Sequence, residues 1–332
     1  MEFRTAVGIK KQEPDINYSS RIMMFGSCFT ENIGKKLQEA KFQTLINPSG
    51  ILYNPESIRS HISRILEKRA FTEDEIFEHE SVWKSFDHHS RFATLSPEAF
   101  LDSANRKLEE AAEFLKKTDF LIITFGTSWI YRLKESGRVV ANCHKLPANN
   151  FIREKLNQGT IVESYSALIQ ELLKVSPEIK IIFTVSPIRH WKDGAHENQL
   201  SKATLLLAIE ELQQLFPENT SYFPAYEIVM DELRDYRFYA EDMIHTNEIT
   251  INYIWKRFAD SFFSKDTTGT ISEIEKLVQA TRHRPFNPQS DTFRQFIRKN
   301  IALLEKFEKK YPYIDFGAER EYFEQIKKTV CA

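Results

Sequence analysis

The sequence predicts an α/β protein built on a parallel β-sheet with helices on both faces. Three observations carry this expectation. Short apolar runs alternate with helical patterns as far as about Lys265. The runs at 119–125 and 180–185 are almost continuously apolar, as expected of strands buried on both faces. The runs stop at turn-forming residues such as Gly26, Gly126 and Ser186-Pro187.

In chain order, Arg21-Ile22-Met23-Met24-Phe25 reads as a buried strand ending at Gly26. A helix follows from about Glu31 to Lys41, with Thr30 as its N-cap. Gln43 to Ile46 forms a second strand, and Asn47-Pro48-Ser49-Gly50 a turn. Asn54-Pro55-Glu56 opens a helix with Pro55 in its first turn, and Ile58, Ile62 and Ile65 fall at helical spacing. Ser96-Pro97-Glu98 opens a long helix to about Lys117. Asp119 to Phe125 is the strongest strand and ends at Gly126. Next come a helix from Ser164 to Val175, a buried strand from Lys180 to Val185, an amphipathic helix from Gln199 to Leu215 and a short strand at Tyr222-Phe223. A helix runs from Glu248 to Phe263.

After Lys265 the texture changes. Thr267-Thr268-Gly269-Thr270 reads as a turn-like break, and the remainder as helices rich in Lys, Glu and Arg with a loop at Arg284-Pro285-Phe286-Asn287-Pro288. The expected organisation is one α/β domain over residues 1–265 and a helical extension over 266–332 packed on the same domain. Phe183, Phe223 and Phe262 are expected core residues.

Composition narrows the function classes. The 332 residues include 45 Lys+Arg and 47 Asp+Glu, a net charge of -2, which argues against a general nucleic-acid binder. A hydrophobic share of 42% with 28% charged residues excludes a disordered chain. No run is long and apolar enough for a signal peptide or a membrane span. Cys28, Cys143 and Cys331 are too far apart for a disulfide framework or a zinc site. The expectation is a reduced, cytoplasmic protein without membrane or nucleic-acid partners, its oligomeric state left open. No phosphate-binding glycine fingerprint implies a nucleotide, and no cofactor is expected. The 10 glycines are about 3% of the chain, against a usual ~7%, so each is informative. Gly26, Gly50 and Gly126 mark three strand-end loops, where sites lie in parallel sheets.

Gly26-Ser27-Cys28-Phe29-Thr30 places two nucleophile types at a strand-to-helix turn. The following helix N-terminus stabilises a thiolate or an oxyanion there. Asp242-Met243-Ile244-His245 can turn a carboxylate onto an imidazole, which then serves as general base. The stretch 189–198 mixes Arg189, His190, Trp191, Lys192 and His196. It reads as a substrate-facing loop, with Trp191 to stack on a sugar or acyl group and Arg189 and Lys192 for an anionic group, or equally as a polar loop with a structural Trp. His190, Asp193 and His196 are poor metal ligands because Gly194 interrupts a helical two-His arrangement, and no metal is expected. His88-His89 is expected on a solvated hairpin, and Arg234, Asp235, Tyr236, Arg237 and Tyr239 in a buried salt-bridge cluster holding the D-x-x-H loop.

These segments resemble the GSCFA family, a branch of the SGNH hydrolase superfamily. The resemblance rests on FGSCFTENIG at 25–34, NPSGILYNP at 47–55, TFGTSW at 124–129, SPIRHWKDGAHENQLSK at 186–202 and RDYRFYAEDMIH at 234–245. It implies a three-layer α/β/α flavodoxin-like fold. Aligning G-D-S-L-[ST] with Gly-Ser-Cys-Phe-Thr puts Cys28 at the nucleophile, with Ser27 as its replacement if the turn is shifted by one residue. Asp242 and His245 match the D-x-x-H block, and Gly50 stands for the second oxyanion block. The third block, G-x-N, reads Gly126-Thr127-Ser128 here, so a Thr127 or Ser128 hydroxyl must replace the Asn. The function implied is an SGNH-like ester hydrolase or O-acyltransferase for O-acyl, notably acetyl, groups of a carbohydrate. The alternative is an inactive ligand-binding protein on the same fold, motivated by the altered first and third blocks.

Overall fold

A computed structural model describes residues 5–330, so Cys331 lies outside the described residues. In chain order the elements are β1 (Arg21–Gly26), α1 (Cys28–Glu39), β2 (Gln43–Ile46) and α2 (Pro55–Glu67). The hairpin β3 (Phe77–His79) and β4 (Val82–Lys84) leads to α3 (Pro97–Leu115) and β5 (Phe120–Phe125). Then come β6 (Trp129–Leu133), β7 (Val139–Val140), β8 (Phe151–Lys155), α4 (Gln158–Val175) and β9 (Lys180–Val185). The chain continues through α5 (Gly194–Leu215), β10 (Thr220–Phe223), the single turn α6 (Ala225–Glu227) and α7 (Glu248–Phe262). It closes with α8 (Lys265–Thr281), α9 (Asp291–Lys310) and α10 (Gly317–Val330).

The central sheet has the order β10-β9-β5-β1-β2, with every neighbouring pair parallel. The chain leaves β1 toward β2 on one side and returns to β5 on the other, so the strand order reverses between β1 and β5. That switch point opens a crevice at the carboxyl ends of the strands. Alternation along the strands feeds two cores. Ile22, Met24, Ile122 and Ile182 face α1 and α7, while Met23, Phe25, Ile123 and Phe183 face α2, α3, α4 and α5. Phe183, Phe223 and Phe262 are buried. The fold is α/β, three layers around a parallel sheet, with C-terminal helices in addition.

Those helices join the first core: Ile274, Leu277, Ile297, Leu304, Phe307 and Phe323 belong to the same buried cluster as Phe42 and Phe263. Tyr18 stacks on Phe42 at 4.5 Å and on Tyr311 at 6.4 Å. Lys41 Nζ pairs with Glu319 Oε2 at 2.7 Å. No helix among the described residues is long and apolar enough to cross a membrane.

Three local expectations are corrected, and one element goes unforeseen. The first helix starts at Cys28 instead of Glu31, because Ser27 and not Thr30 caps it: Phe29 N–H donates to Ser27 Oγ at 3.3 Å. Gly26, at φ +146°, makes the abrupt turn from strand to helix; a Cβ there would lie 2.5 Å from Thr124 O. Residues 267–270 are not a break but lie within α8. Ser264 caps Thr267 N–H at 3.1 Å, and the Thr268 and Thr270 hydroxyls donate back to Ser264 O and Asp266 O, which keeps these polar side chains inside a helix. His88 is not solvated: it is 1% exposed, its ring 4.5 Å from Phe71 and 4.8 Å from Phe92, and burial pushes its pKa well down, so it is a neutral core residue. Finally, β6, β7 and β8 form a small antiparallel sheet, order β7-β6-β8, that the strand-helix alternation does not reveal.

Because Phe307 lies in the core that contains the sheet's first face, Phe307→Ala is expected to cost the whole protein about 3–5 kcal/mol. Urea unfolding followed by circular dichroism measures it. A loss below ~1 kcal/mol would mean that α9 contributes little to that core.

Candidate active site

The crevice at the carboxyl ends of β1, β5 and β9 widens into a cavity of about 510 Å³. Ser27 and Cys28 line it from the β1–α1 turn, Thr127 from the end of β5, Ser186 and Ile188 to Asp193 from the end of β9, and His245 from the loop before α7. The small β6–β8 sheet supplies a further wall through Trp129, Tyr131 and Arg153.

Ser27 and Cys28 play different parts. Ser27 is 2% exposed and its Oγ accepts from Phe29 N–H as the helix cap. Cys28 is half-buried at the first helical position, where the backbone N–H lacks an intrahelical acceptor. Its Sγ lies 3.8 Å from Tyr53 Oη. Burial, then the neighbouring Cys28, raises the Tyr53 pKa far above that of an ordinary phenol, so Tyr53 keeps its O–H as a donor.

The D-x-x-H loop closes on itself. His245 Nδ1 and Asp242 Oδ2 are 2.5 Å apart, and Asp242 Oδ1 accepts the backbone N–H groups of Ile244 at 3.0 Å and His245 at 2.9 Å. The hydrogen bond with the His245 side chain, then these backbone donors, hold the Asp242 pKa down at about 2. Ala240 N–H donates to His245 O at 2.7 Å, and Asn247 Nδ2 donates to Arg237 O at 2.7 Å. His245 faces the cavity and Asp242 stands behind it. The expected salt-bridge cluster at 234–239 does not form. Tyr236 is 73% exposed and Arg237 meets Asp235 at 3.8 Å on the surface, because backbone hydrogen bonds already hold the loop.

The expected oxyanion donors are placed otherwise. Gly50 N–H donates to Asn47 O at 2.8 Å within its turn, and Gly50 does not line the cavity. Ser128 is buried, with both its N–H and its hydroxyl on Ser201 Oγ, at 2.8 and 3.1 Å. Thr127 does line the cavity, but its hydroxyl is shared with Ser201 at 3.1 Å and accepts Trp129 N–H at 3.1 Å. The Gly126 and Thr127 N–H groups both donate to Tyr53 O, at 2.8 and 3.0 Å. These groups hold the rim together. Asn54, on the cavity lining, has its Oδ1 occupied by Ser57 N–H at 2.8 Å, which leaves its NH₂ end as a donor.

Arg189, His190 and Trp191 all line the cavity. Burial, then the charges of Lys202, Arg153 and His245, lower the His190 pKa to about 4, so this ring is neutral near pH 7. Trp191 is 48% exposed. Arg153 lies over the Trp129 ring at 4.2 Å and pairs with Asp193. That pairing takes Asp193 out of a metal set with His190 and His196. Among the described residues no group of three or more His, Cys, Asp or Glu gathers at metal-binding geometry.

Beneath the floor lies Lys202, 1% exposed. Its Nζ donates to Gly126 O at 2.6 Å and Ser186 O at 2.7 Å, tying the ends of the adjacent strands β5 and β9. Burial, then the Arg189 charge, lowers its pKa from 10.5 to about 7. A neutral amine has two N–H donors, which is what two carbonyls require. Sequence reasoning missed Lys202, although a signal existed: it occupies the helix face of Asn198, Leu205, Ile209 and Leu212, where α5 meets the core. Tyr53 and Asn54 were missed for want of a local signal, since Asn54 reads simply as a helix cap.

The GSCFA family model matches residues 21–258, and the model described as GSCFA domain protein, C-terminal domain, matches 274–328. No curated protein matches the chain. Among solved structures, the acetyl xylan esterase Est2A from the rumen bacterium Butyrivibrio proteoclasticus is 12% identical over 76% of this chain and 65% of that one, with TM-score 0.37. A Clostridium thermocellum family 3 carbohydrate esterase is 12% identical over 78% and 98%, TM-score 0.35. A carbohydrate esterase family 3 protein from Talaromyces cellulolyticus is 9% identical over 76% and 99%, TM-score 0.33.

Lys202 gives the site a pH signature. Between pH 7 and 10.5 the unfolded chain holds a proton at this lysine that the folded chain has released, so its contribution to stability rises with pH across that window. Lys202→Met removes it. The stability of the wild type relative to this variant is expected to widen by up to ~2.7 kcal/mol from pH 7 to pH 9, read from urea unfolding at both values. A difference independent of pH would place the lysine in one charge state throughout.

Proposed function

The chain belongs to the GSCFA family, and on that premise we propose that it is an SGNH-type ester hydrolase or O-acyltransferase acting on O-acyl groups, acetyl foremost, of a carbohydrate. The observation that carries the reading is one cavity lined by a cysteine at a helix N-terminus and a histidine braced by a carboxylate. Trp129 and Trp191, both on the lining, are flat apolar surfaces suited to a sugar ring.

In the proposed sequence His245 Nε2 takes the proton from Cys28, whose sulfur attacks the acyl carbonyl carbon. Asp242 keeps the Nδ1–H side of the ring fixed and stabilises the imidazolium. The oxyanion is met by the Cys28 N–H, aided by the α1 dipole, and by the Asn54 amide. As the tetrahedral intermediate collapses, the carbon–oxygen bond to the leaving alcohol breaks and His245 returns the proton to that oxygen. A water or sugar hydroxyl then attacks the Cys28 thioester, His245 accepts its proton, and the acyl group leaves as acid or new ester while the thiol is restored. Ser27 acts as the helix cap.

A second reading, a ligand-binding protein without catalysis, has one observation in its favour: the Gly50, Thr127 and Ser128 donors are occupied by protein acceptors.

Hydrolysis of p-nitrophenyl acetate and acetylated sugars separates the readings. Cys28→Ala is expected to abolish turnover, and His245→Ala to lower kcat/KM by ~10²–10⁴. Ser27→Ala is expected to keep activity while losing ~1 kcal/mol of stability. Wild-type rates equal to those of His245→Ala across the acetyl esters would favour the binding protein. Activity lost in Ser27→Ala and kept in Cys28→Ala would move the nucleophile to Ser27.

A further inference from the structure

Arg189 stands at the seam of two cavities. It lines the one containing Cys28 and His245 and also a neighbouring groove of about 350 Å³ walled by Tyr236, Tyr239 and Met243. Trp191 and Ile244 share the seam.

The charges around Arg189 are unbalanced. On the catalytic-cavity lining, Asp193 is the one carboxylate among the described residues, and Arg153 already pairs with it. Lys192 Nζ donates to Tyr131 Oη at 2.8 Å. In the groove, Asp235 accepts Arg237 N–H at 2.9 Å and faces the Arg237 guanidinium at 3.8 Å. No carboxylate among the described residues lies within 4.0 Å of the Arg189 guanidinium. Its Nη2 meets only the thioether of Met230, at 3.1 Å, and its Nε is buried without a partner. A thioether is a weak acceptor, and a half-buried guanidinium left to one is a costly arrangement unless it serves an anionic ligand. The fork of a single guanidinium fits a planar carboxylate in bidentate fashion, and the aromatic walls beside it fit the ring or chain that carries it.

We propose that Arg189 is a carboxylate anchor, and that the ester accepted by the Cys28 cavity bears a carboxylate held at this seam. The inference rests on the ester-transfer reading for the reacting group, whereas the anion site itself does not. It makes the substrate an acylated acidic sugar or an ester of a dicarboxylic acid, according to which side of the ester carries the charge.

Two matched pairs test it and distinguish the sides. 4-Acetoxybenzoate against phenyl acetate places the carboxylate on the leaving group; monophenyl succinate against phenyl butanoate places it on the acyl group. In one pair the anionic ester is expected to have at least ten-fold higher kcat/KM. That ratio should shrink at least ten-fold in Arg189→Gln, recover in part in Arg189→Lys, and fall in the wild type as sodium chloride is raised. Equal rates within both pairs, or a preference that survives Arg189→Gln and high salt, overturn the proposal while leaving the esterase reading intact. If no ester is cleaved, tryptophan fluorescence titrated with benzoate and succinate decides. Saturable binding by the wild type that is lost in Arg189→Gln sustains the anchor although the esterase reading fails, and absence of binding by the wild type sinks the anchor.

Discussion

A parallel sheet ends all of its strands on one edge, and the rest of this molecule is arranged around that constraint. The strand carbonyls at the edge and the loops that leave it must be held without further sheet pairing. Lys202 does this between β5 and β9 by placing its amine on Gly126 O and Ser186 O. Tyr53 O does it between the β2–α2 segment and β5 by accepting two N–H groups. Asn47 Oδ1 does it for β1 by accepting Gly26 N–H at 2.9 Å. Of the residues expected in an oxyanion hole, Thr127 is drawn into this frame through its N–H, and the Thr127 and Ser128 hydroxyls meet Ser201. The rim is therefore tied by hydrogen bonds on three sides.

The electrostatics of the cavity follow from the same frame. Burial, then the charges of Lys202, Arg153 and His245, keep His190 neutral. Asp242 stands outside this positive field, its charge held by His245 and two backbone N–H groups. One imidazole is thereby braced by a carboxylate and the other is not, which separates a candidate base from a ring that can only donate or accept a neutral hydrogen bond.

Much of the fold was legible because its signals are local. The apolar runs of β1, β5 and β9, the starts of α2 and α3 with a polar cap and a proline in the first turn, and the glycines at strand ends can be read from a few residues each. Misreadings arose where hydrogen bonds and packing, and not composition, decide the outcome. His88 looks solvated beside His89, yet Phe71, Phe92 and Phe100 enclose it. Residues 267–270 look like a break, yet back-bonding hydroxyls carry the helix through them. The charged run at 234–239 looks like a buried cluster, yet it lies on the surface beside a groove. The β6–β8 sheet is short and half-exposed, so its periodicity is weak.

The sequence alone determined the parallel sheet and the strand-end segments that border the crevice, because strand periodicity is a property of neighbours along the chain. Tertiary structure alone decided that Ser27 caps the helix while Cys28 opens it, both on the cavity lining, that Thr127 and Ser128 meet Ser201, and that a buried lysine and a carboxylate-free arginine lie beside the site. Hydrogen-bond partners and desolvation depend on groups far away in sequence, 76 residues in the case of Lys202 and Gly126, and no local pattern encodes which of them will meet.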